Sequence, residues 1–217
     1  MAVTQAQREA FFAQALPYAQ EGHRRTGIPV SVILAQWGLE SAYGTSYIAK
    51  QGSNYAGIKL GSAKGNQDGS IQSPDGSGPY GLYASWDRFT NHWSAILEDS
   101  AAYAGVRQAV AAGSSPEAVA VALGTSPWAE SGYKRSGQVG QGLLDVIKLN
   151  GLDKYDPPTY EAPATWTDGR WTVRPTGAGY QVTAPPEALG LPWAVALGIV
   201  ALLGMGAVLS GKKESTA

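Results

Sequence analysis

The stretch Pro29 to Gly44, PVSVILAQWGLESAYG, sets a single carboxylate, Glu40, at the end of an apolar helical run, flanked by Trp37 and Tyr43. Burial beside aromatic rings disfavours the ionised form, and the negative end of a helix dipole disfavours it further. Both effects raise the carboxyl pKa, so Glu40 is expected to stay protonated near neutral pH, as a general acid must. A plainer role stands beside this one, in which Glu40 caps a neighbouring backbone group or pairs with Arg24, Arg25 or Lys59.

Composition narrows the chemistry. With no Cys there are no thiolate metal sites, disulfides or thiol nucleophiles, and two separated His (His23, His92) do not make a metal centre. Hydrolytic chemistry here must rest on carboxylates, hydroxyls or Lys, and no cofactor or metal is expected. The 16 basic and 17 acidic residues nearly cancel, with no Lys/Arg cluster longer than a pair, which argues against nucleic acid as a partner. At 217 residues the chain suits one domain and an appendage. Its 7 Trp and 11 Tyr exceed what one core needs, so some rings are expected to line a cleft.

The elements that must position Glu40 are mainly helical from the start to about Asp156. The first residues show no apolar run behind a basic start, hence no secretory signal is expected. Thr4 to Gln7 forms a capping box opening a helix with Phe11, Phe12, Ala15, Leu16 and Ala19 on one face. Pro29 precedes Ile33, Leu34 and Trp37; Asp87 precedes Phe89, Trp93, Ile96 and Leu97; Ser115-Pro116 starts a further helix. Val139, Leu143, Val146 and Ile147 share the last helical face, closed by Asn150-Gly151. Between Asn54 and Trp86 the helical period is lost, and short alternating pieces at Ser70 to Gln72 and Tyr80 to Tyr83 around Pro74-Asp75-Gly76 predict a small irregular β-hairpin lobe.

Three segments resemble glycoside hydrolase family 73, the glucosaminidase-type peptidoglycan hydrolases of the lysozyme-like superfamily. AQWGLESAYG (Ala35 to Gly44) is similar to the family's A-Q-x-x-L-E-S-x-x-G, whose Glu is the catalytic acid and falls on Glu40. Asn54-Tyr55-Ala56-Gly57-Ile58-Lys59 looks like N-x-x-G-I-K. Ser126 to Tyr133, with Trp128, resembles [YW]-A-T-D-P-x-Y, though Glu130-Ser131-Gly132 stand where Thr-Asp-Pro is usual. The Leu152 to Asp156 ending is also similar.

The resemblance implies a lysozyme-like helical domain over residues 1–156 and a catalytic cleft with Glu40 as acid and Tyr133 beside it. Tyr133 also reads as a core tyrosine with a satisfied hydroxyl, and Trp128 either stacks a sugar or covers the core. Asn54, Gly57 and Lys59 take supporting or substrate-positioning roles along the cleft floor, and Tyr43 is a further substrate-binding candidate. A second carboxylate, base or nucleophile according to its spacing from the acid, is sought in the hairpin lobe. Only Asp68 and Asp75 are there, each before Gly, where a turn role is the default. Asp68 is the candidate for catalysis, Asp75 the more structural, and single-acid catalysis stays open.

Beyond Asp156 six prolines (Pro157, Pro158, Pro163, Pro175, Pro185, Pro186) predict a stiff tether over 157–188. It is expected to hold one hairpin turning at Asp168-Gly169, between Thr165-Trp166-Thr167 and Arg170-Trp171-Thr172. Leu189 to Leu209 is 21 residues without charge, long enough to cross a bilayer, followed by Lys212-Lys213 in a short basic tail over 210–217. A single-pass C-terminal anchor follows, with the folded domain on the side opposite the tail.

The expected function is cleavage of β-1,4 bonds in peptidoglycan glycan strands by an anchored endo-β-N-acetylglucosaminidase, carried on a phage virion membrane or, as the alternative, anchored in a cell as a tail-anchored autolysin. Lytic transglycosylase activity, or glycan binding without turnover, are the alternatives. The partners are glycan strands and lipid; the sequence leaves the oligomeric state open.

Overall fold

Apolar residues fill most positions of Val30–Glu40, and a helix that is apolar all round requires protein on every side. The computed structural model describes residues 3–61, 66–129 and 131–156, together with the backbone of strands at 166–167, 172–176 and 179–183. In it, helix α2 (Val30–Glu40) is buried from Val30 to Gly38. It packs against α1 (Gln5–Thr26), α7 (Gln141–Asn150) and the 3-10 turn Leu152–Tyr155. Only its last two residues surface: Leu39 is 38% exposed and Glu40 half-buried.

The ends of α2 are closed from elsewhere in the chain. Pro29 at its start supplies no side-chain cap. Instead Asp156 accepts from the Ser31 N–H at 2.8 Å and the Ser31 hydroxyl at 2.6 Å, a carboxylate placed at the positive end of the helix. At the other end the Tyr43 N–H bonds to Gly38 O and the Ala42 N–H to Leu39 O, the pairing of a Schellman motif. Ala42 (φ 48°) takes the left-handed position that glycine usually fills.

The remaining helices follow most of their sequence signals, but α4 (Trp86–Asp99) starts from Ser85, two residues before Asp87, and Val139 lies outside α7, which begins at Gln141. Both halves of the Thr4/Gln7 capping box form, and α1 buries Phe11, Phe12, Ala15 and Ala19. Ser85 caps α4, and Ser115 with Pro116 opens α6 (Pro116–Thr125). Gly151, left-handed at φ 56°, ends α7. Two short helices, α3 (Tyr47–Gly52) and α5 (Ala104–Ala111), add to those read from periodicity. Strands β1 (Gly69–Gln72) and β2 (Pro79–Leu82) pair antiparallel from Gly69↔Leu82 to Gln72↔Pro79, which is the predicted lobe. The domain is thus mainly helical with one small two-stranded sheet, consistent with a lysozyme-like fold.

Most of the aromatic surplus is core. Trp37 meets Phe89 and Trp93 edge-on at 5.0 and 5.3 Å, and Trp86 is stacked between Tyr55 at 3.6 Å and Tyr18 at 5.2 Å. These rings tie α2 to α4, and truncating one such buried Trp typically costs about 3–5 kcal/mol.

The chain divides into two units, residues 1–156 and 157–217. In the second, β3 (Trp166–Thr167), β4 (Thr172–Thr176) and β5 (Gly179–Thr183) form an antiparallel sheet in the order β3-β4-β5. The β3–β4 pair is the expected hairpin, to which β5 adds a third strand. Thr167 pairs with Thr172, so four residues rather than the Asp168-Gly169 pair separate β3 from β4. The two-residue connection lies instead between Thr176 and Gly179. A third strand is what such a short hairpin needs for independent stability. Pro175, which cannot donate to a ladder, pairs with Tyr180 beyond the reach of β3. The expected span 189–209 and the tail 210–217 lie outside the described residues. Among the described residues no helix is long and apolar enough to cross a membrane.

Candidate active site

Glu40 occupies the last turn of α2, where the core helix reaches the surface. Burial raises its carboxyl pKa above the ordinary range, opposed by a hydrogen bond from Tyr133 that favours the charged form. Among the described residues no ion pair involves Glu40. The three cations that offered an alternative partner are engaged elsewhere: Arg24 with Glu21, Arg25 with Glu98 and Asn91, and Lys59 with the Ser77 carbonyl.

Tyr133 comes from the loop before α7, 93 residues away in sequence, and its hydroxyl donates to Glu40 Oε1 at 2.6 Å. The ring is buried, 7% exposed, and burial first, then the Glu40 charge, holds the phenol pKa far above its usual value. Tyr133 is therefore a hydrogen-bond donor at any working pH. Its backbone is left-handed at φ 50° and is held there by the Gly142 N–H, which donates to Tyr133 O at 2.8 Å. The loop lies so close to α6 that a Cβ on Gly124 would stand 2.6 Å from Gly132 O. Glycine at 124 is what lets the tyrosine loop dock.

The second carboxylate oxygen faces Gly57. A Cβ there would sit 3.4 Å from Glu40 Oε2, with no other atom within 4 Å, and Gly57 is left-handed at φ 62°. Gly57 thus lies within van der Waals reach of Oε2, and its left-handed backbone is what favours glycine there. The segment carrying it is pinned from both sides. Asn54, 1% exposed, donates to Ile58 O and Gly81 O and accepts from the Ile58 N–H, fixing the turn and joining it to β2. The Trp128 indole donates to Ala56 O at 3.0 Å while its ring packs on Trp93 and Tyr103. Asn54 fixes the Gly57 segment to β2, and Trp128 ties it to the segment that leads to Tyr133.

The other candidates have partners of their own. Lys59 covers the Tyr80 ring at 3.9 Å, on the lobe. Tyr43 packs edge-on against Phe11 and Phe12, and Gly38 is kept small beneath its ring. Its ring is half-buried. Asp68 pairs with Arg88 at 2.9 Å and accepts the Ala84 N–H, which joins the lobe to the start of α4 and lowers its pKa. Asp75 accepts from Ser73 and Ser77 in the turn between β1 and β2, which holds its carboxyl down to about 2. Asp68 thus joins two elements, and Asp75 closes its own turn. Among the described residues no cluster of His, Asp or Glu could hold a metal.

One residue that sequence reasoning left without a role completes the site. Gln36, one turn before Glu40 and fully buried, donates from Nε2 to Tyr133 Oη at 3.2 Å and accepts from the Trp93 indole at 3.0 Å. The available signal was its position, a lone amide inside an otherwise apolar helix, because a buried amide must find partners.

Residues 16–152 match the family described as glucosaminidase, mannosyl-glycoprotein endo-beta-N-acetylglucosaminidase. The chain belongs to the glucosaminidase family. It is accordingly a glycoside hydrolase, and Glu40, Gly57 and Tyr133 all fall within the matched span. Solved structures share the fold. A type VI secretion system effector-immunity complex from Pseudomonas protegens gives a TM-score of 0.52 at 21% identity, covering 69% of this chain and 94% of that one. The catalytic domain of the autolysin Auto from Listeria monocytogenes gives 0.51 at 22% identity, covering 72% and 91%. A peptidoglycan hydrolase from Sphingomonas sp. A1 gives 0.50 at 24% identity, covering 67% and 91%. No curated protein matches the chain.

Proposed function

We propose that this glucosaminidase is an endo-β-N-acetylglucosaminidase of peptidoglycan, with Glu40 as its general acid. The observation that carries the reading is the state of Glu40: a half-buried carboxyl of raised pKa at the mouth of a buried helix, free of any ion pair among the described residues. Two of the structural neighbours are an autolysin and a peptidoglycan hydrolase, which supports a wall glycan as substrate.

In this reading Glu40 protonates the glycosidic oxygen as the bond to C1 breaks, and the Tyr133 hydroxyl stabilises the carboxylate left behind. The engagement of Asp68 with Arg88 and of Asp75 in its turn favours one protein carboxylate. The acetamido oxygen of the N-acetylglucosamine unit then attacks C1 in place of a second carboxylate, and water opens the resulting ring, returning its proton to Glu40. We also assign residues 189–209 to a membrane anchor, on the strength of their uncharged sequence, with a virion membrane as its setting.

The test is product analysis on intact cell-wall sacculi. Reducing N-acetylglucosamine ends are expected, and their loss in Glu40→Gln. Anhydro-muramyl ends would make the enzyme a lytic transglycosylase, and equal clearing by the Glu40→Gln variant would remove Glu40 from the mechanism. Partition of the full chain, but not of residues 1–188, into vesicles tests the anchor.

A further inference from the structure

A hydrogen-bond chain runs from the core to the acid, and its direction is fixed at the buried end. The Trp93 indole nitrogen can only donate, so the amide atom it meets, 3.0 Å away, must be the Gln36 oxygen. That choice turns the Gln36 NH2 toward Tyr133 Oη at 3.2 Å. The phenol oxygen is thereby an acceptor from Gln36, and its one hydrogen is left for Glu40 Oε1 at 2.6 Å. With Oε1 receiving, the carboxyl proton resides on Oε2, the oxygen that faces Gly57. Each link follows from the donor and acceptor inventory of its side chain, and each of the inner members is buried: Gln36 and Trp93 0% exposed, Tyr133 7%.

We propose that Gln36, oriented by Trp93, is a positioning residue that fixes the direction of the Tyr133–Glu40 hydrogen bond and so the oxygen from which Glu40 delivers its proton. This rests on Glu40 being the acid. A Gln36 amide turned the other way would present its oxygen to Tyr133, draw the phenol hydrogen away from Glu40, and leave Oε1 as a competing site for the acid proton. The charged and titratable groups around the pair do not obscure the effect. Glu40 and Tyr133 act on each other and Tyr103 acts on Tyr133, while Arg24, Arg25 and Lys59 are held by other partners.

The experiment needs no substrate. The carboxyl C=O stretch of Glu40, assigned by its loss in Glu40→Gln, is titrated by infrared difference spectroscopy in four proteins: the unsubstituted chain, Gln36→Leu, Tyr133→Phe and the double variant. Gln36→Leu is expected to raise the Glu40 midpoint by about half a pH unit, since an unpolarised phenol is a weaker donor. It is expected to shift nothing further once Tyr133 is Phe. An equal shift in both backgrounds, or none in either, overturns the proposal, because a merely structural amide would act without regard to Tyr133. Should Gln36→Leu fail to fold with the Trp93 N–H orphaned, Gln36→Leu with Trp93→Phe removes that donor and is read against Trp93→Phe in both backgrounds. Gln36→Glu adds a reversal: a carboxylate facing Tyr133 is expected to raise the Glu40 midpoint further, and an unchanged or lowered midpoint counts against the relay. A protein that shows this pattern yet leaves sacculi intact keeps the relay and loses the wall-glycan reading; clearing with equal shifts in both backgrounds does the reverse.

Discussion

Replacing Tyr133 by Phe removes one oxygen and keeps the ring, and the geometry separates its consequences. The lost hydroxyl stands between Gln36 Nε2 at 3.2 Å and Glu40 Oε1 at 2.6 Å. On the Gln36 side a buried donor is orphaned, which is expected to cost about 1–3 kcal/mol of folding stability. On the Glu40 side the missing bond is one to a group that becomes an anion as it gives up its proton. Such bonds are worth about 1.5–3 kcal/mol, equivalent to a fall in kcat of roughly 10- to 150-fold. The pH dependence has a determined sign. The Tyr133 bond lowers the Glu40 pKa against the effect of burial. Without it Glu40 stays protonated to higher pH, and the alkaline limb of the kcat profile moves up. Turbidity clearing of wall suspensions across pH, with urea unfolding of the same preparations, reads both quantities. A downward shift of the alkaline limb would refute the assigned hydrogen-bond direction. A loss of kcat beyond ten-thousandfold with folding intact would show that Tyr133 does more than support the carboxylate.

Glu40→Gln is expected to be more stable than the unsubstituted chain at high pH and to match it in acid. A carboxyl whose folded pKa is raised contributes stability below its unfolded pKa and loses it as pH rises through the folded value; unfolding midpoints at several pH values check this. Asp156→Ala is expected to lower stability by about 1–2 kcal/mol, because it uncaps the helix that carries the acid, and denaturant titration measures it. Ala42→Gly is expected to gain up to ~1 kcal/mol by relieving a left-handed alanine, read in the same way. Asp68→Asn is expected to keep kcat within a few-fold if the residue only joins the lobe to α4; a thousandfold loss would establish it as the missing second carboxylate.

What the sequence made legible and what it hid divide along the range of the interactions. Caps are local, so Thr4, Ser115-Pro116 and Gly151 announced their helix ends. The all-apolar run before Glu40 announced a buried helix with an acid at its exit. Contacts between distant segments left little local trace. Asp156 caps a helix 125 residues upstream, and Tyr133 reaches Glu40 across 93. Tyr133 was found only through resemblance, since nothing about a tyrosine after Ser131-Gly132 signals an acid across the chain. Tyr43, an aromatic beside Glu40 in sequence, is set by the turn at Ala42 edge-on against Phe11 and Phe12, contacts that no local pattern announces. Gln36 was the most available of the hidden residues. A lone amide in an apolar helix costs stability unless it is satisfied, so its presence one turn before the acid already implied a donor and an acceptor in the core. The structure identifies them as the Trp93 indole and the Tyr133 hydroxyl, so the hydrogen bonds that reach Glu40 begin in the core of the domain.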